Sequence, residues 1–369
     1  MTSTHFQHPD RVRVERFDTI VIGGGQAGLA VGQQLAAHDI DFVILSNEAQ
    51  IGDNWRKRWG SLRLFTPARF SGLPAMPFPA PPGHLADKDE VADYLERYAA
   101  RFDLPVRVNT HVESLTSDGT RFRIIANGGA TVMEAGNVIV ATGPFQRPLV
   151  PAVAAQLAPT IRQLHSSQYQ DPFDLPDGPV LVVGAGNSGA QIALELAQFR
   201  KVWLAGRDTG HMPRRVLGRD VFSWLWPVMN WATAEARLGR RMRADIQRSG
   251  DALIGIPEQS LTDSGVVRVG RLDAERGGQP VCGGDVIGPR VIVWCTGYQP
   301  DYSWIDLPVC DEAGRPRHVR GVATALPGLF FLGLRFQYRL NSSLIGGVGQ
   351  DAAFIAGQVA KRSQTMESV

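Results

Sequence analysis

The chain carries the same hydrophobic pattern twice. In each copy a short apolar run enters a glycine-rich turn, apolar residues then recur at helical spacing, and a second apolar run follows. The first copy spans residues 19–45, and the second spans residues 180–205. Apolar runs bounded by glycine predict buried strands, and the helical spacing between them predicts a helix. Each copy is therefore a predicted βαβ unit.

The same reasoning predicts further elements along the chain. Helical spacing predicts helices at residues 89–102 and 188–198, and a last one from near Gly349 onward. Apolar runs predict strands at residues 106–112, 121–126, 137–141, 291–295 and 329–333. We interpret the last two strands as the return of the chain to the first unit. This order predicts an α/β fold in which a second dinucleotide-binding (Rossmann-like) domain is inserted into the first.

The predicted domains have definite boundaries. The first domain is discontinuous and covers residues 17–172 and 288–369, the inserted domain covers residues 177–287, and residues 1–16 form an N-terminal extension. Two segments stand out by composition. Residues 52–82 are too irregular for one element and too aromatic for a linker, so we expect them to cover a bound group. Residues 221–231 are apolar but short and interrupted by Pro227, which favours a buried helix or a pocket wall over membrane contact.

Both predicted units have GxGxxG spacing where the first strand turns into the helix. Glycine at these positions allows a tight turn and a close approach of the backbone to a pyrophosphate at the helix N-terminus. The residues concerned are Gly23, Gly25, Gln26 and Gly28 in the first unit and Gly184, Gly186, Asn187, Ser188 and Gly189 in the second. A duplicated loop with both flanking elements in place indicates two bound dinucleotides.

The residue that follows the second strand of each unit predicts which ribose is bound. An acidic residue suits a free 2′-hydroxyl, whereas an arginine suits a 2′-phosphate. Arg207 follows the second strand of the second unit, with Arg214 close behind, which favours NADPH over NADH. The first unit has Ser46 at this place and Glu48 two residues later. We predict that Glu48 binds the ribose of the first nucleotide.

Composition and charge exclude several classes of protein. The 38 basic and 36 acidic residues are scattered and nearly cancel, so no basic stripe for nucleic acid is present. Cys282, Cys295 and Cys310 form no close pair, which gives no disulfide framework, no CxxC redox pair and no predicted metal site. The sequence shows no secretory signal and no apolar stretch of spanning length. We therefore predict a cytoplasmic protein without a membrane span.

With these residues in place, the chain resembles the flavin-containing monooxygenase family (class B flavoprotein monooxygenases), and its bacterial and YUCCA-like branches in particular. GGGQAGLA is similar to the family's FAD loop, GDNWRKRWGSLRLFTP to its flavin-covering segment, GAGNSGA to its NADPH loop, and NVIVATG and WCTGYQPD to its two crossovers. The family motif FxGxxxHSxxY is matched at His165, Ser166 and Tyr169, whereas its Phe and Gly fall on Pro159 and Ile161.

The resemblance implies an NADPH-dependent FAD monooxygenase. NADPH reduces FAD, the reduced flavin forms a C4a-hydroperoxyflavin with O₂, and a small nucleophilic substrate takes one oxygen atom. Tyrosine in the motif, where Baeyer–Villiger enzymes have tryptophan, favours an amine or a thioether as substrate, including N-hydroxylation. The cofactors supply the chemistry, and the protein orients them and excludes water. Homodimers are common among similar proteins.

The resemblance also implies contact residues beyond the two loops. For FAD these are Trp55, Arg56, Arg63, Val112, Thr142, Gly143, Gly333 and Gln337. For NADPH they are His165, Ser166, Tyr169, Thr296 and Gly297. Thr66 and Asn341 are predicted beside the reacting part of the flavin; near Thr66 many relatives carry an asparagine.

Two other functions stay open at this stage. One is an NADPH-dependent flavin oxidase or reductase that passes electrons to O₂, a quinone or a protein without inserting oxygen. Its disulfide-reducing version is disfavoured because the chain has no CxxC. The other is a non-catalytic FAD-binding partner or redox sensor. Three observations distinguish the candidate functions. Oxygen incorporation indicates the monooxygenase, electron transfer to an acceptor without oxygen insertion indicates the oxidase or reductase, and NADPH turnover excludes the non-catalytic protein.

Overall fold

The computed structural model describes residues 14–237, 239–242 and 252–367. Its helices are α1 (Gln26–Ala36), α2 (Asp53–Arg56), α3 (Lys88–Arg101), α4 (Asn187–Ala197), α5 (Phe222–Trp231), α6 (Glu258–Asp263) and α7 (Val348–Glu367), with 3-10 turns at Ala68–Phe70, Ala152–Gln156 and Pro172–Asp174. Among the described helices, none combines the length and apolar character needed to cross a bilayer.

The strands of the described residues are β1 (Val14–Ile22), β2 (Phe42–Leu45), β3 (Val106–Arg107), β4 (Val112–Ser117), β5 (Phe122–Ala126), β6 (Thr131–Val140), β7 (Arg147–Pro148), β8 (Arg162–His165), β9 (Val180–Val183), β10 (Val202–Ala205), β11 (His211–Met212), β12 (Arg215–Val216), β13 (Arg219–Asp220), β14 (Leu253–Ile254), β15 (Val266–Val269), β16 (Leu272–Arg276), β17 (Gln279–Cys282), β18 (Asp285–Val286), β19 (Val291–Trp294), β20 (Tyr298–Gln299), β21 (His318–Val319), β22 (Val322–Ala323) and β23 (Leu329–Phe331).

The first sheet has the strand order β21-β22-β23-β6-β1-β2-β3, and the antiparallel hairpin β4-β5 is attached through β6. Its central strands β2, β1, β6 and β23 are parallel. The second half of β1 is buried on both faces, as parallel strands covered by helices require. Helices α1, α3 and α7 share one apolar cluster on one side of this sheet.

The second sheet has the order β15-β10-β9-β19-β8, and all its pairings are parallel. Its strands β9 and β19 have the sequences VLVV and VIVW, and every residue in both is buried. The apolar cluster on one side of this sheet includes residues of α4 and α6. Each sheet therefore has its own core, with a βαβ unit at its centre.

The structure corrects the predicted place of one strand and two boundaries. Strand β19 pairs with β9 and β8, so it belongs to the second sheet and is not the return to the first one. Strand β8 also lies in the second sheet, which therefore extends from Arg162 to Trp294, beyond the predicted limits of residues 177–287. The cause is that an apolar run indicates burial but does not identify the strand beside it.

Two further predictions differ from the structure. Residues 14–16, assigned to an N-terminal extension, pair with residues 132–134 as the first part of β1, and residues 1–13 lie outside the described residues. The single strand predicted at residues 106–112 is broken by Asn109, whose φ of +51° is a turn conformation, so β3 and β4 are separate strands.

The segment after α2 joins the two cores. Trp59 and Leu62 are buried in the apolar cluster of the second sheet, although they precede β3 of the first sheet in the chain. The Gly60 backbone N–H donates to the Gln170 carbonyl oxygen at 2.9 Å. Residues 53–66 therefore lie against both sheets. For Trp59 this contact means a packing role.

Candidate functional site

The two glycine loops have the same backbone geometry. Gly23 and Gly184 have φ values of +120° and +113°, a backbone conformation that residues other than glycine rarely adopt. A Cβ on Gly23 would lie 2.4 Å from the carbonyl oxygen of Ala141, and a Cβ on Gly184 would lie 2.3 Å from that of Cys295. Both glycines are therefore required by the contact between the loop and the adjacent strand end.

The third glycine of each loop lets the helix approach the turn. A Cβ on Gly28 would lie 1.9 Å from the Gly23 carbonyl oxygen, and a Cβ on Gly189 would lie 1.8 Å from the Gly184 carbonyl oxygen. Both distances are far inside van der Waals contact. The first and third glycines are thus explained by packing within the protein.

The second glycine of each loop has no such packing reason. Gly25 and Gly186 are the N-caps of α1 and α4, and no side chain of the described residues caps either helix. A Cβ on Gly25 would meet only Asn54 Nδ2, at 3.5 Å, and a Cβ on Gly186 would meet nothing within 4 Å. The first-turn N–H groups of a helix have no intrahelical acceptor, so they form an anion site. A pyrophosphate fits both cradles.

The predicted contacts around the first loop fall into two groups. Arg56 forms ion pairs with Asp93 at 3.1 Å and Glu96 at 2.8 Å on α3. Arg63 pairs with Asp87, the N-cap of α3, at 2.6 Å. Both arginines are therefore engaged within the protein, and their contact with a flavin stays a prediction.

The second group includes buried polar atoms without a partner. Trp55 Nε1, Gln337 Nε2 and Asn341 Oδ1 are buried and have no hydrogen-bond partner among the described residues. Such atoms are rare in folded proteins, because a buried polar group that makes no hydrogen bond costs free energy. They are the donors and the acceptor that a polar ring system would satisfy. Their hydrogen-bonding chemistry fits the polar edge of a flavin.

The remaining residues predicted to contact FAD differ in their surroundings. Glu48 is paired with Lys57. The Thr142 hydroxyl accepts a hydrogen bond from Gln146 Nε2 at 2.6 Å. Gly143 and Gly333 have φ values of +72° and +81°, and Val112 is the half-buried first residue of β4.

The two residues predicted beside the reacting ring lie in different surroundings. Thr66 is buried, and its hydroxyl lies 3.1 Å from the Ser71 Oγ. Asn341 is also buried, and its Nδ2 donates to Asn230 Oδ1 on α5 at 2.9 Å. Asn341 therefore connects the segment before α7 to helix α5.

His165 connects a crossover segment to the second sheet. Its Nε2 donates to the Gly297 carbonyl oxygen at 3.0 Å, and its Nδ1 accepts from the Ser167 backbone N–H at 3.1 Å. The ring lies edge-on to Tyr298, whose hydroxyl accepts from Arg58 at 2.6 Å. Burial, and then the positive charge of Arg58, lower the pKa of His165. A neutral His165 thus holds Gly297 in place.

Three more residues predicted for NADPH also have contacts within the protein. The Tyr169 hydroxyl donates to Glu195 at 2.7 Å, and Thr296 donates to the Leu149 carbonyl oxygen. The side chain of Asn187 accepts from the Ile254 N–H at 2.9 Å. These contacts give all three residues a structural role.

The charged and polar residues nearest the second loop differ in exposure. Ser188 and Arg207 are exposed, and Ser166 is buried. Arg214 Nε pairs with Asp220 at 2.8 Å, and its Nη1 donates to the Phe65 carbonyl oxygen at 2.5 Å. Arg214 thus links the segment after β11 to residues 53–66, and Arg207 is an exposed residue shortly after β10.

Sequence reasoning missed one contact between the domains. The Gln191 side chain on α4 accepts from the Arg63 N–H at 3.1 Å and donates to the Arg63 carbonyl oxygen at 3.0 Å. This pair of bonds fixes the flavin-covering segment against the helix of the second loop. No sequence signal could have identified it, because the two residues are 128 positions apart.

The fold and the paired loops define a class of enzymes with two dinucleotide-binding domains. Residues 20–248 match the family described as pyridine nucleotide-disulphide oxidoreductase. The chain belongs to this family. It is 41% identical to an uncharacterized CzcO-like oxidoreductase of Geobacillus kaustophilus, over 93% of this chain and 98% of the relative. The predicted fold class and the prediction of an oxidoreductase are confirmed.

Other comparisons point to flavin monooxygenases. The chain is 31% identical to the probable indole-3-pyruvate monooxygenase YUCCA8 of Arabidopsis thaliana, over 58% of this chain and 52% of the relative. A solved flavin monooxygenase variant from Stenotrophomonas maltophilia has a TM-score of 0.78 and 27% identity, over 95% of this chain and 100% of that chain. The resemblance to flavin-containing monooxygenases is confirmed, and with it a flavin and a nicotinamide as general cofactors.

Proposed function

We propose that this chain binds FAD at the first loop and NADPH at the second, and transfers one oxygen atom of O₂ to a small nucleophilic substrate such as an amine or a thioether. The proposal rests on a difference between the two loops: their backbones have the same geometry, but only the first is covered by another segment of the chain. Asn54 of the flavin-covering segment lies beside Gly25, whereas the space beside Gly186 is open. A resident cofactor suits the covered loop, and an exchanging coenzyme suits the open one.

FAD at the first loop would be held by helix amides and by buried side-chain atoms that have no hydrogen-bond partner among the described residues. The N-terminal amides of α1 would bind its pyrophosphate. Trp55, Gln337 and Asn341 would satisfy the polar atoms of its ring through the buried groups that lack partners among the described residues. Bound FAD supplies the two-electron chemistry and the reaction with O₂.

NADPH at the second loop would use the amides of α4 and the guanidinium of Arg207. The 2′-phosphate is a dianionic group that accepts charge-assisted hydrogen bonds from arginine. His165 acts as a positioning residue, because it donates to the carbonyl oxygen of Gly297 in the crossover that lies beside Gly184. It stays neutral there, so it adds no charge beside the coenzyme.

The experiment that tests the proposal follows the fate of O₂. Purified flavin-loaded protein is given NADPH, heavy-isotope O₂ and a panel of thioethers and tertiary amines, and products are analysed by mass spectrometry. The proposal predicts one labelled oxygen atom per product molecule. It is overturned if all electrons from NADPH appear as hydrogen peroxide or pass anaerobically to a quinone.

The release of hydrogen peroxide without oxygen transfer has one observation in its favour. The Thr66 hydroxyl is bonded to Ser71 inside the protein, at the position near which many relatives carry an asparagine. The lack of that amide favours release of hydrogen peroxide over transfer of oxygen to a substrate. The peroxide yield measured in the same assay distinguishes this oxidase from the monooxygenase.

A further inference from the structure

Helix α5 exposes an apolar face that neither cofactor site uses. The sequence predicts a buried helix or a pocket wall for residues 221–231, and the structure buries one face of the helix. Its inner stripe packs Phe222 against Phe65 and Trp226 against Phe70, with ring centroids 6.1 Å and 4.9 Å apart. On the outer side, Trp224, Val228 and Trp231 are 45%, 41% and 82% exposed. An apolar run does not distinguish a helix with one buried face from a helix that is buried on both faces.

The outer residues form one continuous stripe. Positions 224, 228 and 231 have the i, i+4, i+7 spacing that places side chains on a single helix face. A helix at the surface of a protein in water carries polar residues on that face. The hairpin of β12 and β13 adds Val216 and Leu217, and the Trp224 Nε1 donates to the Val216 carbonyl oxygen at 3.2 Å. We call these five residues the aromatic face: Val216, Leu217, Trp224, Val228 and Trp231.

The tip of this hairpin is unfavourable for a protein surface in two ways. Leu217 has a φ of +50° and is 87% exposed. With Gly218 at +74° it forms a two-residue turn of the kind that normally carries asparagine or glycine. A leucine there combines backbone strain with exposed apolar surface. Strain of this kind concentrates at functional positions.

The stretch of chain that contains the aromatic face is strongly basic. Residues 214–242 contain six arginines and two acidic residues, whereas the whole chain has a net charge of +2. The rest of the chain is therefore slightly negative. Arg219 lies over the ring of Trp224 at 5.7 Å from its centroid, and Arg215 is exposed on the neighbouring strand. Positive charge and exposed tryptophan thus share one surface.

We propose that the aromatic face docks this protein on an anionic lipid surface. Tryptophan side chains are suited to the boundary between headgroups and acyl chains, and arginines beside them bind anionic headgroups. A second copy of the chain fits less well, because a twofold interface would bring the same arginines against each other. The helix would lie in the interface and would not cross the membrane.

The test uses flotation of the purified full chain with lipid vesicles. Binding is expected to vesicles that contain phosphatidylglycerol, to weaken with added salt, and to be much lower on phosphatidylcholine alone. The double variant Trp224→Ser, Trp231→Ser should lose at least about tenfold in partitioning. Arg215→Gln and Arg219→Gln should each cost about fivefold on anionic vesicles.

A matched control removes two exposed aromatic residues elsewhere. Phe173 and Phe199 are 72% and 52% exposed, and their ring centroids are 4.9 Å apart. The double variant Phe173→Ser, Phe199→Ser should bind vesicles like the wild type. Leu217→Asn separates folding from docking, since it should raise the melting temperature by relieving the backbone and yet reduce vesicle binding.

Three results would overturn the proposal. The first is a wild-type chain that stays unbound with phosphatidylglycerol vesicles at low salt. The second is a tryptophan double variant that floats as well as the wild type. The third is a dimer in solution that dissociates in this variant without any vesicle binding, which would assign the aromatic face to a second copy of the chain.

Discussion

The two glycine loops share one backbone but differ in the residues that support it. Their N-caps have nearly identical angles, with φ of −84° at Gly25 and −80° at Gly186. In the first loop, Gly24 lies against Ser46, so a Cβ on Gly24 would come within 2.7 Å of the serine Cβ. In the second loop the larger residue is on the loop and the glycine follows the strand, because Ala185 lies against Gly206. A Cβ on Gly206 would be 2.8 Å from the Ala185 N.

This reversal explains a departure from the expected sequence pattern. In both domains the residue that directly follows the second strand packs against the glycine loop. Packing therefore determines the size of the side chain at Ser46 and at Gly206. The charged residues that we propose distinguish the nucleotides come one or two positions later, at Glu48 and Arg207. Packing fixes the shape of each loop, and we propose that the next residues along the chain set its ligand.

The largest expected effect comes from replacing the second glycine of each loop, because the two replacements should impair different binding sites. Gly25→Ala should give a folded protein that has lost its flavin, and Gly186→Ala should keep the flavin and bind NADPH at least about tenfold more weakly. The reason is that both Cβ atoms enter space reserved for a ligand. Visible absorption and calorimetric titration measure the two losses.

Gly28→Ala is the control for that comparison. Its Cβ would lie 1.9 Å from a backbone oxygen of the protein itself. It should therefore destabilise the fold by about 1–3 kcal/mol or more, measured by urea unfolding. If Gly25→Ala unfolds to the same extent, the assignment of its space to a ligand is wrong.

The next effect concerns the choice of coenzyme. Arg207→Ala should remove a charge-assisted bond to the 2′-phosphate worth about 1.5–3 kcal/mol, which raises the KM for NADPH by about 10- to 150-fold. The KM for NADH should change little. Steady-state oxidation of both coenzymes measures the difference, and equal effects on the two would contradict the role of Arg207.

A smaller effect tests the reversed packing directly. Gly24→Ala alone should cost about 1–3 kcal/mol of unfolding free energy, because the new Cβ clashes with Ser46. Adding Ser46→Gly reproduces the alanine and glycine of the second loop and should recover part of that loss. A double-mutant cycle that shows no coupling would mean that the two residues do not form the proposed contact.

The smallest effect is a pH dependence at His165. Burial lowers its pKa in the folded protein below the unfolded value of about 6.5. The unfolded chain therefore binds more protons below this pH, so the free energy of unfolding should fall as the solution is acidified from neutral. His165→Asn should flatten that part of the profile. Melting curves at several pH values compare the two proteins, and parallel profiles would argue against a buried neutral His165.

The sequence was most informative where structure is local. The strand, glycines and helix of each loop lie within a few residues of one another, and both loops were located correctly. Helix α3 was also predicted to within one residue from its apolar spacing, which is a local signal, and the structure adds a capping box at Asp87 and Glu90. Local backbone requirements can be read directly from residue types.

Contacts between distant parts of the chain were not accessible in this way. Strand β19 has the composition of any buried strand, and only its pairing shows that it belongs to the second sheet. Arg56 was expected at the flavin, but its carboxylate partners lie 37 and 40 positions along the chain. Side-chain partners and sheet membership depend on packing that residue patterns do not specify.

The central claim is that a resident flavin on the first loop is reduced by a coenzyme on the second. Anaerobic titration of the purified protein with NADPH tests it most directly, with visible flavin absorption as the readout and Gly186→Ala as the comparison. We predict that the wild-type flavin is bleached in proportion to added NADPH, whereas the flavin of Gly186→Ala is bleached at least about tenfold more slowly at the same subsaturating NADPH concentrations. A wild-type protein that purifies without flavin, or a Gly186→Ala variant bleached as readily as the wild type, would contradict the account.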